Sequence, residues 1–193
     1  MVMPFDALTE LSDDVLMRRQ AQGDGEAARV LTRRHAPRVL NLAWRMLGDR
    51  DEAEDVTQEA MLRLWRAASD WQPGRAQAST WLYRVASNLC TDRLRRRRGV
   101  ALDAVPEPVD GAPSADQRLM AADRAAALQA ALDGLPERQR VAVVLRHLEG
   151  LGNPEIAAVM ETSVEAVESL LARGRKALAA KLAPDREELG LDR

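Results

Sequence analysis

The sequence predicts an all-α protein with two small helical domains joined by a flexible acidic linker. Three observations support this fold class. Ala, Leu, Arg and Glu, which favour helices, dominate a chain in which only 3% of the residues are aromatic. Apolar residues recur at helical spacing before residue 99 and again after residue 116. Between these positions the periodicity is lost, and the segment contains three prolines and four acidic residues.

These patterns divide the 193 residues into a first domain at 10–98, a linker at 99–116 and a second domain at 117–183. Each domain is small, so each has only a modest core. The net charge of the chain is −2. Any contact with nucleic acid therefore has to use local basic patches, and we expect modest affinity for DNA without a partner.

The composition also excludes several kinds of site. Cys90 is the only cysteine, so no intrachain disulfide can form, and a buried, unreactive thiol is the simplest interpretation. His35 and His147 lack the spacing of a zinc site, and we expect no metal or cofactor. No apolar run predicts membrane insertion, and a cytoplasmic location fits the cysteine usage. We find no phosphate-binding glycine loop and no catalytic triad, so we do not expect an enzyme.

Four helices are expected in the first domain. The first helix begins at the N-cap Ser12, and the second lies between Asp24 and Gly48. Asp51 resembles the cap of a capping box at the start of the third helix, which ends near residue 70. A loop with a Pro-Gly pair follows, and Ser79 is expected to cap a fourth helix that ends at residue 98.

The second domain has the layout of a helix-turn-helix DNA reader. Pro136 is favourable in the first turn of a helix that Gly150 closes. Asn153 is expected to cap a short helix of about two turns. Thr162 is expected to cap the final long helix. A short helix, a tight turn and a long helix in this order are typical of that motif.

The final helix presents a polar side that can read DNA. At about 100° per residue, its apolar residues share one side. The opposite side carries our candidates for DNA contact, which are Glu165, Glu168, Ser169, Arg173 and Lys176. Arg can read guanine in the major groove, and Glu can accept a hydrogen bond from cytosine. The alternative is a solvated face with charge pairs four residues apart.

The fourth helix of the first domain carries a second candidate surface. One stripe along it contains Trp81, Arg84, Asn88, Thr91, Arg95 and Arg98, and five arginines lie near its end. Guanidinium groups can follow a phosphate backbone, and a Trp can stack on an unpaired base. The alternative is that Trp81 belongs to the core and that the arginines stabilise an exposed helix end through the helix dipole.

The third helix begins with an acidic run. Five of the nine residues at 51–59 are Asp or Glu. Acidic residues are ordinary in a first helical turn, which is one interpretation. Five acids exceed what capping needs, however, and they would repel DNA. A basic protein surface is therefore the alternative partner.

These segments together resemble one protein family. Residues 51–65 resemble the D-x-x-E-D-x-x-Q-E segment of sigma-70-family transcription initiation factors. Residues 80–88 and 92–96 resemble the next segment of that family, and residues 135–140 and 155–173 resemble its region four. The size, with only these two domains, resembles the extracytoplasmic-function (ECF) group.

The resemblance implies a factor that binds core RNA polymerase, recognises −35 and −10 promoter elements and promotes DNA melting. It assigns to the largest polymerase subunit the residues Asp51, Glu54, Asp55, Gln58 and Glu59. It assigns to the −10 element, with a flipped non-template base, the residues Trp71, Trp81, Tyr83, Arg84, Asn88, Arg95 and Arg96. The last helix would read the −35 element. The resemblance also implies an anti-sigma factor that silences the protein until a stress signal arrives.

The sequence departs from the family in the second domain. Glu161 stands where the family has a turn glycine, which implies a strained or a differently shaped turn. Glu168 and Leu170 replace residues that are often basic, so the −35 sequence is left open.

A stand-alone DNA-binding regulator is the alternative function, and a small helical hydrolase has no catalytic residues to support it. In the leading interpretation, the two domains are loosely tethered until polymerase spaces them.

Overall fold

The computed structural model describes residues 8–74, 76–100 and 116–183, and these ranges contain helices and no strand. Most of the linker and the last ten residues lie outside the described part of the chain. The N-terminal bundle consists of α1 (Asp13–Ala21), α2 (Gly25–Leu47), α3 (Arg50–Ala67) and α4 (Ala78–Val100), with a 3₁₀ turn at Ala68–Asp70. The C-terminal bundle consists of α5 (Asp116–Asp133), α6 (Glu137–His147), α7 (Asn153–Val159) and α8 (Val164–Leu182). The all-α prediction is confirmed.

Several predicted helix boundaries are confirmed by their caps. Ser12 precedes α1, as expected, although its side chain makes no capping hydrogen bond. The carboxylate of Asp24 accepts hydrogen bonds from the backbone N–H groups of Glu26 and Ala27, at 3.1 and 3.3 Å. Gly48 ends α2 with a φ of 66°, in the left-handed region that glycine adopts without a steric penalty. The structure thus places α2 as predicted.

Other predicted caps are wrong by one or two residues. Asp49, and not Asp51, caps α3, because its carboxylate accepts from the backbone N–H of Glu52 at 2.9 Å. The helix α4 begins one residue before Ser79. Ser163, and not Thr162, caps α8 by accepting from the N–H of Ala166 at 3.2 Å. At the starts of α3 and α8, two nearby residues have similar capping side chains, so only the backbone geometry chooses between them.

The cap of α7 also differs from the prediction. Gly152 occupies the N-cap position, and Asn153 is the first helical residue. The side-chain oxygen of Asn153 is buried without a hydrogen-bond partner. The carboxylate of Glu155 instead accepts from the backbone N–H of Gly152 at 2.7 Å. A glutamate in the first turn therefore satisfies the donor at this helix start.

The two bundles pack against each other, which differs from the loosely tethered arrangement expected from the sequence. The helix α2 contacts both α5 and α6, and α4 contacts α7. Buried apolar residues of both bundles form one continuous cluster, which includes Leu42, Leu82, Leu145 and Ile156. The linker prediction falls mostly on residues outside the described part, but α4 continues through residues 99 and 100. Sequence periodicity identifies the apolar face of each helix without revealing which bundle covers it.

None of the helices in the described ranges combines the length and the apolar character that a membrane span requires.

Candidate nucleic-acid interface

The outer side of α8 is the first candidate surface. Its inward residues Val167, Leu170, Leu171 and Gly174 are buried, as predicted. The five predicted DNA-contacting residues are all exposed: Glu165, Glu168, Ser169, Arg173 and Lys176. The helix therefore presents the predicted polar stripe to solvent while its apolar side packs on α6 and α7.

Charge is distributed unevenly along this stripe. Acidic residues occupy the first two turns, and basic residues follow from Arg173 onward. A hydrogen bond with its own backbone N–H, together with the Ser163 side chain, lowers the pKa of Glu165. Arg173 donates one bond, of 3.3 Å, to the backbone oxygen of Ser169. This arrangement offers acceptors near the start of the helix and cationic donors farther along it.

The turn before α8 contains the predicted strain. Glu161 has a φ of 49°, which is the left-handed region that a non-glycine residue adopts only with strain. Its carboxylate accepts a hydrogen bond of 3.0 Å from Arg84 on α4. The helix-turn-helix turn is therefore directly connected to the N-terminal bundle.

The start of α4 and the loop before it form the second candidate surface. Trp71 and Trp81 are both partly buried, and their rings meet edge to face with centroids 6.4 Å apart. Such pairs contribute about 0.5–1.5 kcal/mol beyond simple burial. Trp81 thus packs against the core through part of its ring, while Asn88, two turns later, is exposed. The alternative in which Trp81 lies wholly in the core does not describe this position.

Two of the predicted −10 residues face the C-terminal bundle. Tyr83 is only 2% exposed, and its hydroxyl donates a hydrogen bond of 2.7 Å to Glu149. Burial, with that hydrogen bond, raises the pKa of Tyr83 above its ordinary value. Arg84 is engaged by Glu161, as described above. In the packed arrangement of the two bundles, Tyr83 is closed to a DNA strand, whereas Arg84 is partly exposed and its surface pair with Glu161 can be exchanged for a phosphate group.

The arginines near the end of α4 have two different environments. Arg93 and Arg97 pair with α3 and the residues before it, at 3.6 Å from Asp55 and 2.8 Å from Glu52 respectively. Arg98 pairs with Glu137 of α6 at 2.6 Å. Arg95 and Arg96 are exposed, and among the described residues no ion pair involves them. These two arginines are therefore the ones that can meet phosphate groups in this arrangement.

The acidic side of α3 is the third surface. Its five predicted polymerase contacts are exposed except for the half-buried last one: Asp51, Glu54, Asp55, Gln58 and Glu59. Arg50 pairs with Glu54 at 3.1 Å, and Arg63 pairs with Glu59 at 2.7 Å. The hydrogen bond from Arg63 lowers the pKa of Glu59. These pairs lie at the surface, where solvent screens them and they contribute little to stability, so a partner can replace them.

Two family matches cover the same segments. Residues 31–100 match the family described as Sigma-70 region 2, and residues 125–178 match Sigma-70, region 4. The RNA polymerase sigma-H factor of Pseudomonas aeruginosa is 32% identical, with 92% of this chain and 97% of that protein covered. The ECF RNA polymerase sigma-E factor of Escherichia coli K12 is 31% identical over 91% and 96% of the two chains. This chain belongs to the ECF group of the sigma-70 family.

Another relative is longer than this sigma factor. The ECF RNA polymerase sigma factor SigE of Mycolicibacterium smegmatis is 41% identical over 82% of this chain, which spans 62% of that protein. Among solved structures, CnrH in complex with the cytosolic domain of CnrY has a TM-score of 0.70 and 28% identity, over 90% and 98% of the two chains. The RpoE–NepR complex from Bartonella quintana has a TM-score of 0.61 at 23% identity, which supports the shared fold. Sigma factors are transcription initiation factors and not enzymes.

Three residues of this sigma factor have structural roles that the sequence did not reveal. Glu149 lies between the bundles with its side chain 4% exposed, and Arg140 is also buried. Arg140 donates to the backbone oxygen of Met46 across the interface at 2.5 Å. Asp14 on α1 bonds the loop before α4. Each contact joins residues more than 50 positions apart, and local periodicity carries no signal for such pairs.

The described residues include no group of His, Cys, Asp and Glu side chains that could hold a metal ion.

Proposed function

We propose that this sigma factor divides initiation among its three surfaces. The acidic side of α3 binds core polymerase, the start of α4 and its preceding loop bind the −10 element, and α8 binds the −35 element. The observation that carries this proposal is the separation of one acidic and two DNA-suited surfaces on one small chain. An acidic face repels DNA and suits a basic protein surface, whereas the other two surfaces offer cations, amides and aromatic rings.

Polymerase binding would rest on Asp51, Glu54, Asp55, Gln58 and Glu59. The first four of these side chains are exposed along α3, and the surface ion pairs of Glu54 and Glu59 are easily exchanged for a partner's cations. Charge complementarity mainly speeds association and selects the partner. Because the partner is core polymerase, we place the protein in the cytoplasm.

Contact with the −10 element would use Trp71, Trp81, Tyr83, Arg84, Asn88, Arg95 and Arg96. Flipping a base out of its stack costs a few kcal/mol, so a preformed surface with aromatic rings and cations favours the melted state. Arg95 and Arg96 are available in the packed arrangement, but Tyr83 is covered by the C-terminal bundle and Arg84 pairs with Glu161 of that bundle. Full engagement of the −10 element therefore requires the two bundles to separate.

Contact with the −35 element would use Glu165, Glu168, Ser169, Arg173 and Lys176 on the exposed side of α8. The mixture of acceptors and cations suits both base edges and phosphates in the major groove.

We also propose an anti-sigma partner that keeps the protein silent until a stress signal arrives. CnrH, which shares this fold, was solved with the cytosolic domain of CnrY.

The central experiment is transcription by core polymerase with and without the purified chain on genomic promoters. We expect initiation at discrete start sites that depends on the chain. Changing Arg84 and Arg95 together to Ala should weaken promoter opening. The slope of its logarithmic salt dependence should also fall by up to about two, because each lost phosphate contact releases about one counterion fewer. The charge-matched control is Arg18→Ala with Arg29→Ala, because both arginines are exposed and lie outside the proposed surfaces. Polymerase that stays inactive on every promoter would contradict the proposal.

A stand-alone DNA-binding regulator is the alternative function, and DNA binding without polymerase distinguishes it from a sigma factor. Such a protein would bind its DNA site tightly without polymerase. A gel shift with the chain alone should show weak binding because the net charge is −2 and the −10 residues are partly covered. Tight, sequence-specific binding without polymerase would favour the regulator.

A further inference from the structure

The loop between α3 and α4 is held by a residue far away in the sequence. Asp14 lies on α1, and its Oδ1 atom accepts a hydrogen bond of 2.8 Å from the indole Nε1 of Trp71. Its Oδ2 atom accepts a second bond, of 3.1 Å, from the backbone N–H of Gly74. One carboxylate therefore bonds two points of the same loop, one on a side chain and one on the backbone.

The two bonded groups, the Trp71 side chain and the Gly74 backbone, determine the conformation of the loop. Gly74 has a φ of 75°, so the chain turns sharply at the residue whose N–H Asp14 accepts. Trp71 is the partly buried ring that meets Trp81 of α4. The loop residues at 72–74, 76 and 77 are exposed. Exposed loops with few buried contacts lose their geometry readily unless a side chain fixes them.

The start of α1, where Asp14 lies, is attached to α2 through the neighbouring residue. The preceding residue, Asp13, accepts from His35 Nε2 at 2.8 Å and also pairs with Arg34, both on α2. Although burial opposes ionisation, the bonds with His35 and Arg34 lower the pKa of Asp13. The start of α1 is thus attached to α2, and α1 in turn holds the loop. This series of contacts transmits the rigidity of the bundle core to exposed residues.

A cleft lies between α1 and the loop. Its volume is about 570 Å³, and its lining includes Ser12, Asp14, Gly74, Ala76 and Gln77. Such a volume lies within the range of pockets that hold small ligands. Both oxygens of Asp14 are occupied by bonds with the loop, and its negative charge disfavours approach of a phosphate group. Asp14 is therefore suited to shape the loop and not to bind a DNA strand.

We propose that Asp14 is a positioning residue for the −10 element, acting through Trp71 and Gly74. It holds the loop, before DNA arrives, in the geometry that receives the non-template strand. This inference rests on the proposed function of the α3–α4 loop. Preorganisation of this kind raises affinity because the ordering of the loop is no longer part of the binding equilibrium. Promoter selectivity at the −10 element thus depends on a residue of α1.

The test uses Asp14→Asn, with Glu10→Gln as the matched control. Asn keeps an oxygen that can accept from Trp71, but its amide nitrogen cannot accept from Gly74. Glu10 is exposed and outside the cleft, so its change removes the same charge without touching the loop. With holoenzyme, we expect Asp14→Asn to weaken binding of a single-stranded −10 non-template oligonucleotide about tenfold or more, the usual effect of losing a bond to a charged group.

A measurement of affinity for core polymerase distinguishes a positioning role of Asp14 from a general loss of structure in the variant. We expect core affinity of Asp14→Asn to equal that of the wild type, and discrimination between matched and mismatched −10 oligonucleotides to fall. A second variant, Trp71→Phe, removes the indole donor and keeps an aromatic ring, although a smaller one. Because both variants loosen the same loop, the effect of the double variant should be smaller than the sum of the two effects.

The outcomes distinguish this inference from the proposed function. If wild-type holoenzyme fails to bind the −10 oligonucleotide, the proposed function of the loop fails. If wild-type holoenzyme binds it and Asp14→Asn binds equally well, the positioning role is overturned. Equal losses of core affinity and oligonucleotide affinity in Asp14→Asn, with additive effects of Trp71→Phe, would also overturn it, because they indicate a purely structural role.

Discussion

The hydroxyl of Tyr83 donates a 2.7 Å hydrogen bond to Oε2 of Glu149, and this buried bond joins the proposed −10 helix to the C-terminal bundle. Asn41 donates to the other carboxylate oxygen at 2.6 Å. Arg38 donates to the backbone oxygen of Glu149 at 3.1 Å and lies 3.4 Å from its carboxylate. A buried carboxylate is tolerated only with such partners. Separation of the bundles therefore has to exchange these bonds for hydration.

Glu149→Ala should destabilise the packed arrangement more than Tyr83→Phe does. The first change leaves Tyr83 and Asn41 without their acceptor, and we expect a loss of about 3–5 kcal/mol in the free energy of unfolding. The second change removes one donor while Glu149 keeps two others, and we expect about 1–2 kcal/mol. Urea unfolding gives these energies, and small-angle X-ray scattering should show a larger radius for Glu149→Ala. Glu168→Ala, at an exposed position on α8, is the control; an equal effect there would contradict the prediction.

Glu161→Gly should stabilise the chain even though it removes an ion pair. The left-handed backbone at Glu161 costs a non-glycine residue about 1 kcal/mol or more. The pair with Arg84 is largely exposed, so its contribution is at most about 1 kcal/mol. We expect a gain of up to about 1 kcal/mol in urea unfolding.

Arg84→Ala provides the control for this second prediction, since it removes the same ion pair without changing the turn. It should cause a small loss of stability. If Glu161→Gly causes a loss as large as that of Arg84→Ala, relief of strain in the turn is not the dominant effect.

The sequence predicted those parts of the fold that depend on local pattern. Asp24 and Gly48 bound α2 as expected, and the buried and exposed sides of α8 were identified correctly from helical spacing. Glu161 was recognised as strained because a side chain occupies a position that favours glycine. The packing of the bundles was not predicted, because the bonds of Glu149 and Arg140 join residues widely separated in the sequence.

For the candidate surfaces too, the sequence predicted what depends on local pattern and not what depends on contacts between distant residues. Exposure of the acidic side of α3 was implied by its motif, whereas the burial of Tyr83 depends on how the C-terminal bundle packs on α4. Likewise, five neighbouring arginines look equivalent in the sequence, but three of them pair with acidic residues and Arg95 and Arg96 do not. Charge alone does not indicate which cations are already neutralised inside the molecule.

Gly174→Ala should destabilise the helix-turn-helix although alanine is the better helix former. A Cβ atom at Gly174 would lie 2.6 Å from Cγ2 of Val143, a distance at which the Val143 side chain or the backbone must shift. We expect a loss of about 1–3 kcal/mol from overpacking, which exceeds the gain in helix propensity of about 1 kcal/mol. Thermal unfolding measures the loss. Val143→Ala in the same chain should recover part of it, and a double variant no more stable than Gly174→Ala would show that this contact is not the cause.

Cys90 should react very slowly with thiol reagents in the folded protein. The side chain is fully buried, and burial raises its pKa from 9.0 to about 12, while Arg93 lowers it and Glu52 raises it by smaller amounts. At pH 8 the thiolate fraction is then about 10²- to 10³-fold lower than for a free cysteine, and access is blocked as well. Labelling with iodoacetamide at pH 8 should be at least about 100-fold slower than in urea, and it should accelerate as the pH rises. Rapid labelling of the folded chain at pH 8 would instead favour a redox role for Cys90.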